Sequence, residues 1–266
     1  MIKFLITGLL RDKSRSRLPV LVVAIGVMLT VLMHAYITGF MGDTIEMNAK
    51  FTHGHVKVMT KAYAENMSLI PNDLALLEVD ELIAELNNQF TGIEWTPRIQ
   101  FGGLVDAPDE HGDTKAQGPA MGMGINLLGD GNEVERLNLH RSLVRGGLIQ
   151  NQGEALLSEE LSQKLKVDPG DRVTLIGSTM YGGMAMQNFT VAGTVTFGND
   201  ILDRGAIIID IEDARFALDM PNGAGELLGF FSKGFYDNEL ALRRAQEFNS
   251  ASVSYTHLTL PTKRIV

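Results

Sequence analysis

The sequence predicts an α+β extracytoplasmic domain preceded by an interfacial helix and one transmembrane helix. Three observations carry this expectation. Leu18 to Met41 runs for 24 residues without an Asp, Glu, Lys or Arg. The chain after it mixes helical and strand periodicity. Basic side chains gather ahead of the apolar run, and acidic ones dominate behind it.

The apolar run comes first in the argument. As a helix it would span roughly 36 Å, enough for a hydrocarbon core of about 30 Å with some tilt. Twelve of its residues are Leu, Ile, Val or Phe, which favour insertion by roughly 4 to 7 kcal/mol. The single histidine, His34, stays neutral or reaches the interface. A signal peptide needs an apolar core of only about 7 to 15 residues and a small-x-small cleavage site. The exit here, HAYITGFMGD, offers no such site, so the run reads as a retained anchor. Ahead of it, MIKFLITGLL clusters Ile2, Leu5, Ile6, Leu9 and Leu10 with basic residues close behind. That pattern suits a short helix lying in the membrane interface.

The flanks set the orientation. Residues 1–42 carry Lys3, Arg11, Lys13, Arg15 and Arg17 against one acid, Asp12. The remaining chain has 18 basic and 31 acidic residues, a net charge of −13. The positive-inside rule then puts the N-terminus in the cytoplasm and the rest outside. An acidic exported domain has no basic face to follow phosphates, which argues against nucleic acid as a partner. The chain has no cysteine, hence no disulfide and no thiolate metal site.

Past the anchor, GHVKVM (54–59) reads as a strand. From Asp73 to Phe90, Leu76, Val79, Leu82, Ile83, Leu86 and Phe90 recur at helical spacing. WTPRIQFGGLV reads as a strand, followed by a Pro/Gly/Asp-rich loop over 106–118. GEALL is a short strand, and Ser158 stands where a helix N-cap belongs. Glu159 and Glu160 in the first turn and Lys164 and Lys166 in the last suit the helix dipole. VDPGD is a turn that releases the strand DRVTLIG. FTVAGTVTF and RGAIIID are strands rich in branched residues, and Asp210 caps a helix holding Phe216 and Leu218. YDNELALRRAQEF closes the series as a helix.

Chemistry is harder to find. No G-x-x-x-x-G-K-[ST] loop is present, so the chain does not hydrolyse nucleotide by that route. GMGIN (122–126) lacks the third glycine of a dinucleotide loop, and its glycines read as a crowded strand. Neither G-x-S-x-G nor H-E-x-x-H occurs. His53 and His55, two apart, lack an identifiable third metal ligand. Met180, Met184 and Met186 fit a flexible apolar hairpin tip better than a soft-metal loop. Asp106, Asp109, Glu110 and Asp113 lack Ca²⁺-loop spacing. The expectation is a non-catalytic protein with no catalytic, cofactor-binding or metal-binding residues and no cofactor.

Several segments together resemble one family. LLRDKSRSRLPVLVVAIGVMLTVLMHAYITGF followed by GHVKV resembles the start of permeases of the lipoprotein-releasing and macrolide-exporter type of ABC transporter, the FtsX-like permeases. GEALLSEELSQKLKVDPGDRVTLIG with FTVAGTVTFGNDILDRGAIIIDIEDARFAL resembles their periplasmic core domain. TPRIQFGGLV and VRGGLI fall where that family has comparable strands. GHVKV and the compact outer domain look nearer the lipoprotein-releasing branch.

The resemblance implies an inner-membrane permease that dimerises, as a homo- or heterodimer, and is driven by a separate ABC ATPase subunit. A periplasmic acceptor protein is a further candidate partner. It also implies three later spanning helices that this sequence does not contain. VSYTHLTLPT (Val253 to Thr262) reads as a translated sequencing-library adapter. The expected organisation is a cytoplasmic amphipathic and basic segment at 1–17, a transmembrane helix at 18–41, a periplasmic core domain at 42–252 and an adapter-derived tail at 253–266. The helix and its continuation through Gly42–Lys50 would couple membrane to domain. A single-pass anchored sensor or binding domain is the alternative; an anchored hydrolase lacks a nucleophile–base pair.

Overall fold

The computed structural model describes residues 13–232, 238–251 and 257–259. The interfacial helix expected over residues 1–10 lies outside them. The chain divides into two compact units, Met1–Asn48 and Ala49–Val266. In the first, helix α1 runs from Lys13 to Asn48. Among the described residues it is the one helix long and apolar enough to cross a membrane. That stretch is Arg17–Phe40, with a mean hydropathy of 2.4 and none of it buried by protein.

The second unit is α+β, as expected. A π-helical turn at Ala49–His53 leads into β1 (Val56–Met59), and a short helix α2 (Lys61–Glu65) follows. The helix expected from Asp73 begins later: α3 spans Val79–Gln89. Leu76 belongs to an extended segment instead, exchanging backbone hydrogen bonds with Ala224. Tertiary pairing here overrides the local helical period. Asp80 and Glu81 then occupy the first turn of α3, where the helix dipole favours them.

β2 (Ile93–Pro108) and β3 (Thr114–Ile125) form a long hairpin. The loop expected over 106–118 shrinks to the five residues 109–113. Backbone pairing carries the ladder through Asp106↔Gln117 and Ala107↔Ala116. The glycines of GMGIN do mark a crowded strand. A Cβ on Gly122 would lie 1.8 Å from the Phe101 ring, and one on Gly124 would lie 2.4 Å from the Ala214 side chain.

Two single-turn helices, α4 (Glu133–Arg136) and α5 (Leu139–Ser142), lead to β4 (Leu143–Gly146) and β5 (Glu154–Ser158). Ser158 caps α6 (Glu159–Leu165), its hydroxyl accepting from the Leu161 N–H. β6 (Arg172–Ser178) and β7 (Met184–Val195) form a second hairpin. After α7 (Asp200–Asp203) comes β8 (Ala206–Asp210), and Asp210 caps α8 (Ile211–Ala217). β9 (Glu226–Phe231), α9 (Asn238–Ala251) and β10 (His257–Thr259) complete the unit.

Six strands close into a barrel. β2 pairs with β3, β3 with β8, β8 with β5, β5 with β7, β7 with β6, and β6 returns to β2. β8 shows why its sequence is an unbroken apolar run: Ile207 and Ile209 join the larger core, while Ile208 joins a second one with Met123, Ile125 and Leu156. A strand covered on both faces has no polar side to alternate with.

β2 is longer than the barrel needs. Its first half, Ile93–Arg98, pairs with β9, which pairs with β1, so a side sheet grows from the barrel along one shared strand. β10 adds to the outer edge of β1 through residues 257–259. Strand addition of this kind rests on backbone groups and accepts many sequences.

Candidate functional site

Among the described residues, no constellation of bond-making chemistry stands out; the concentration of buried charge lies instead where the chain enters the second unit. The turn at Ala49–His53 ends in Gly54 at φ +61°, whose N–H donates to the Ala49 carbonyl. A Cβ at Gly54 would sit 2.8 Å from the Val56 oxygen, so glycine fits both the left-handed backbone and the space.

Arg98 grips that turn. Fully buried, it donates from Nη1 to the carbonyl oxygens of Lys50 and Phe51, at 3.0 and 2.8 Å. Its Nη2 lies 2.5 Å from Oε2 of Glu133, also fully buried. Glu133 in turn pairs with Arg136, which pairs with Glu94 at 2.8 Å and lies over the Phe230 ring at 4.0 Å. Burial works to raise the Glu94 carboxyl, but hydrogen bonds and charge from Arg136, helped by Asn132, hold it below its ordinary range. Two cations and two anions thus form a neutral chain from the turn to α4, β2 and β9. The guanidinium suits this position because its planar fork can serve two carbonyls and a carboxylate together.

The position of Arg98 in the sheet matters as much as its contacts. It is the residue at which β2 changes partners, paired with Glu226 of β9 and with Ile125 of β3. The barrel and the side sheet meet there. Beside it, the buried Lys57 and Glu226 form an ion pair at 2.6 Å, and Gln100 donates to the other Glu226 oxygen at 3.1 Å.

The candidate histidines fall into this region but do not converge on a metal. Nδ1 of His55 accepts the Phe231 N–H at 3.0 Å, and its ring packs against Phe230 and Phe231. His53 is held below its ordinary pKa by burial and then by the Lys57 charge, with Glu226 opposing. Met180 is buried while Met184 and Met186 are exposed, so the three methionines do not share a pocket. Among the described residues, no group of three or more His, Cys, Asp or Glu could hold a metal ion.

Residues 17–231 match the family described as MacB-like periplasmic core domain. The chain belongs to that family. The crystal structure of the periplasmic region of MacB from Actinobacillus actinomycetemcomitans shares the fold, with a TM-score of 0.50 at 13% identity. The match covers 77% of this chain and 87% of that one. No curated protein matches the chain.

For a MacB-like domain, the residues that matter at the junction were poorly marked in sequence. Arg98 lies in WTPRIQF, Lys57 in GHVKVM and Glu226 ahead of LLGFF. A charge inside an apolar strand is the one available signal, because such a side chain is buried only when paired. Glu133, in a polar stretch, carried no such mark. The partners are 35 residues apart for Arg98–Glu133, and no local pattern joins them.

Proposed function

We propose that this chain is a permease subunit of an ABC transporter, with the N-terminus cytoplasmic and the MacB-like domain periplasmic. Its role is mechanical. A partner ATPase moves the membrane helices, and the outer domain receives that movement for lipoprotein release or export. A second permease completes the unit, and the residues from 253 onward derive from a sequencing adapter. Family membership and the long apolar helix support the class.

One observation carries the mechanism: Arg98 holds the carbonyls of Lys50 and Phe51 at the residue where barrel and side sheet share a strand. A displacement of the chain at 49–53 is therefore delivered to both sheets at once. A surface loop at that point would absorb it. Buried, paired charges have few alternative arrangements in an apolar interior, which makes the grip stiff.

The test begins at the gene. Long-read sequencing across codon 252 should show the frame continuing into three apolar spans, with an ATPase subunit encoded beside it. A natural stop near 252 with no such neighbour would replace this reading with a single-pass anchored binding or sensor domain. In the assembled transporter, Met33→Pro should break the helix and uncouple ATP hydrolysis from transport while the outer domain stays folded. Unchanged coupling would remove the mechanical role.

A further inference from the structure

Phe51 is held twice. Its carbonyl oxygen accepts from Nη1 of Arg98 at 2.8 Å, and its ring meets the Phe197 ring edge-on, with centroids 4.8 Å apart and planes at 68°. The first contact leads to β2 and belongs to the grip described above. The second leads elsewhere. Phe197 stands just past the end of β7, and both rings pack against the second core, which holds Ile125, Leu156, Val195 and Ile208.

Past Phe197 the chain is tied to itself. One oxygen of Asp203 accepts the Phe197 N–H at 2.7 Å, the other accepts the Gly198 N–H at 2.9 Å, and Asp203 is buried. The Asp203 N–H donates to the Asn199 carbonyl, and the Asn199 side chain caps α7 by accepting from Ile201. These bonds join the backbone of Phe197 to α7 as one piece. The piece is fastened at its ends, where the Thr196 N–H donates to Ser142 and the Gly205 carbonyl accepts from Met121. Between them α7 faces water, with Ile201 67% exposed and the Asp200 and Arg204 side chains exposed as well.

We propose that Phe51 is a second positioning residue of the junction, one that passes a displacement of the turn to the connection between β7 and β8. This rests on the permease reading, in which the turn is displaced from the membrane side. The two holds on Phe51 differ in kind. Arg98 gives a directional, charge-assisted hydrogen bond, which fixes the carbonyl to β2. The ring contact is apolar, and its edge-on geometry sets a direction of push without a hydrogen bond. A shift of the Phe51 ring therefore reaches Phe197, and the Asp203 clamp turns it into a movement of α7 between its fastened ends. The junction has two outputs that part at a single residue: β2 through the backbone of Phe51, and α7 through its side chain.

The chain has no cysteine, so single labels are specific. In the assembled transporter, a spin label at Ile201→Cys reports on α7, and one at the exposed His111→Cys reports on the chain just beyond β2. Adding a non-hydrolysable ATP analogue is expected to change the spectra at both positions. Phe51→Leu and Phe197→Leu each keep apolar bulk but remove one ring, and each should abolish the change at Ile201 while leaving it at His111. Phe51→Tyr keeps the ring edge and should retain both changes. A response at Ile201 that survives both leucine variants overturns the proposal, and so does its loss at both positions, which would make Phe51 a general support of the turn. A response at His111 with none at Ile201 in the unsubstituted chain also overturns it, and leaves the permease reading standing. Silence at both positions counts against the mechanical role itself, and the proposal falls with it.

Discussion

Arg98 and Glu133 face each other at 2.5 Å, both with no side-chain exposure, and neither lies near the other in sequence. Their pairing ties the turn that follows α1 to a single-turn helix and to the strand shared by barrel and side sheet. Breaking it leaves charge and carbonyl groups without partners in an interior that water does not reach.

Arg98→Met is expected to destabilise the domain by about 3 to 5 kcal/mol, the usual cost of removing one partner of a buried ion pair. Arg98→Lys should be milder, because it keeps a cation but not the fork that serves two carbonyls and a carboxylate. Urea unfolding of both variants checks the order. Equal losses would mean that the fork has no special role.

Acid should loosen the same region through His53. Its folded pKa lies below the ordinary 6.5, so the unfolded chain takes up this proton first as pH falls. Stability is then constant above about 6.5 and declines as pH drops from there toward the lowered folded value. The His53→Gln variant should lose that part of the slope. Glu94, whose pKa is lowered from 4.5, acts in a more acidic window: its stabilisation is lost as pH falls below that value. A slope near pH 6 that survives His53→Gln would assign the effect elsewhere.

Gly122→Ala places a Cβ within 1.8 to 2.2 Å of three Phe101 ring atoms. Phe101 is buried and has little room to turn away. The expected loss is about 1 to 3 kcal/mol, typical of overpacking a core. Phe101→Leu added to Gly122→Ala should recover part of it, and a double-mutant cycle would show positive coupling. Simple additivity would place the clash somewhere else.

Asp210 should outweigh Ser158 as a helix cap. One Asp210 oxygen accepts from the N–H groups of Leu127 and Leu128 and the other from Glu212, each at 3.0 Å. Ser158 accepts only from Leu161, at 3.4 Å. Ser158→Ala is expected to cost about 1 kcal/mol, and Asp210→Ala about 3 kcal/mol because more donors are orphaned. Thermal unfolding of the two variants decides the ranking.

The sequence by itself determined what local rules reach. It marked the apolar helix, the α+β mixture, the caps at Ser158 and Asp210, the branched strand of β8 and the crowded glycines at 122 and 124. Each depends on residues a few positions apart, where helix dipole, strand period or absent Cβ act directly. It misplaced the start of α3, because Leu76 pairs with Ala224, 148 residues on. Only the tertiary structure decided that six strands close into a barrel, that β2 serves two sheets, and that Arg98 grips Lys50 and Phe51 while pairing with Glu133. Closure and buried ion pairing depend on which distant strands come together, and in an apolar interior the energy of a charge is set by its spatial partner. Sequence neighbours carry no record of that partner.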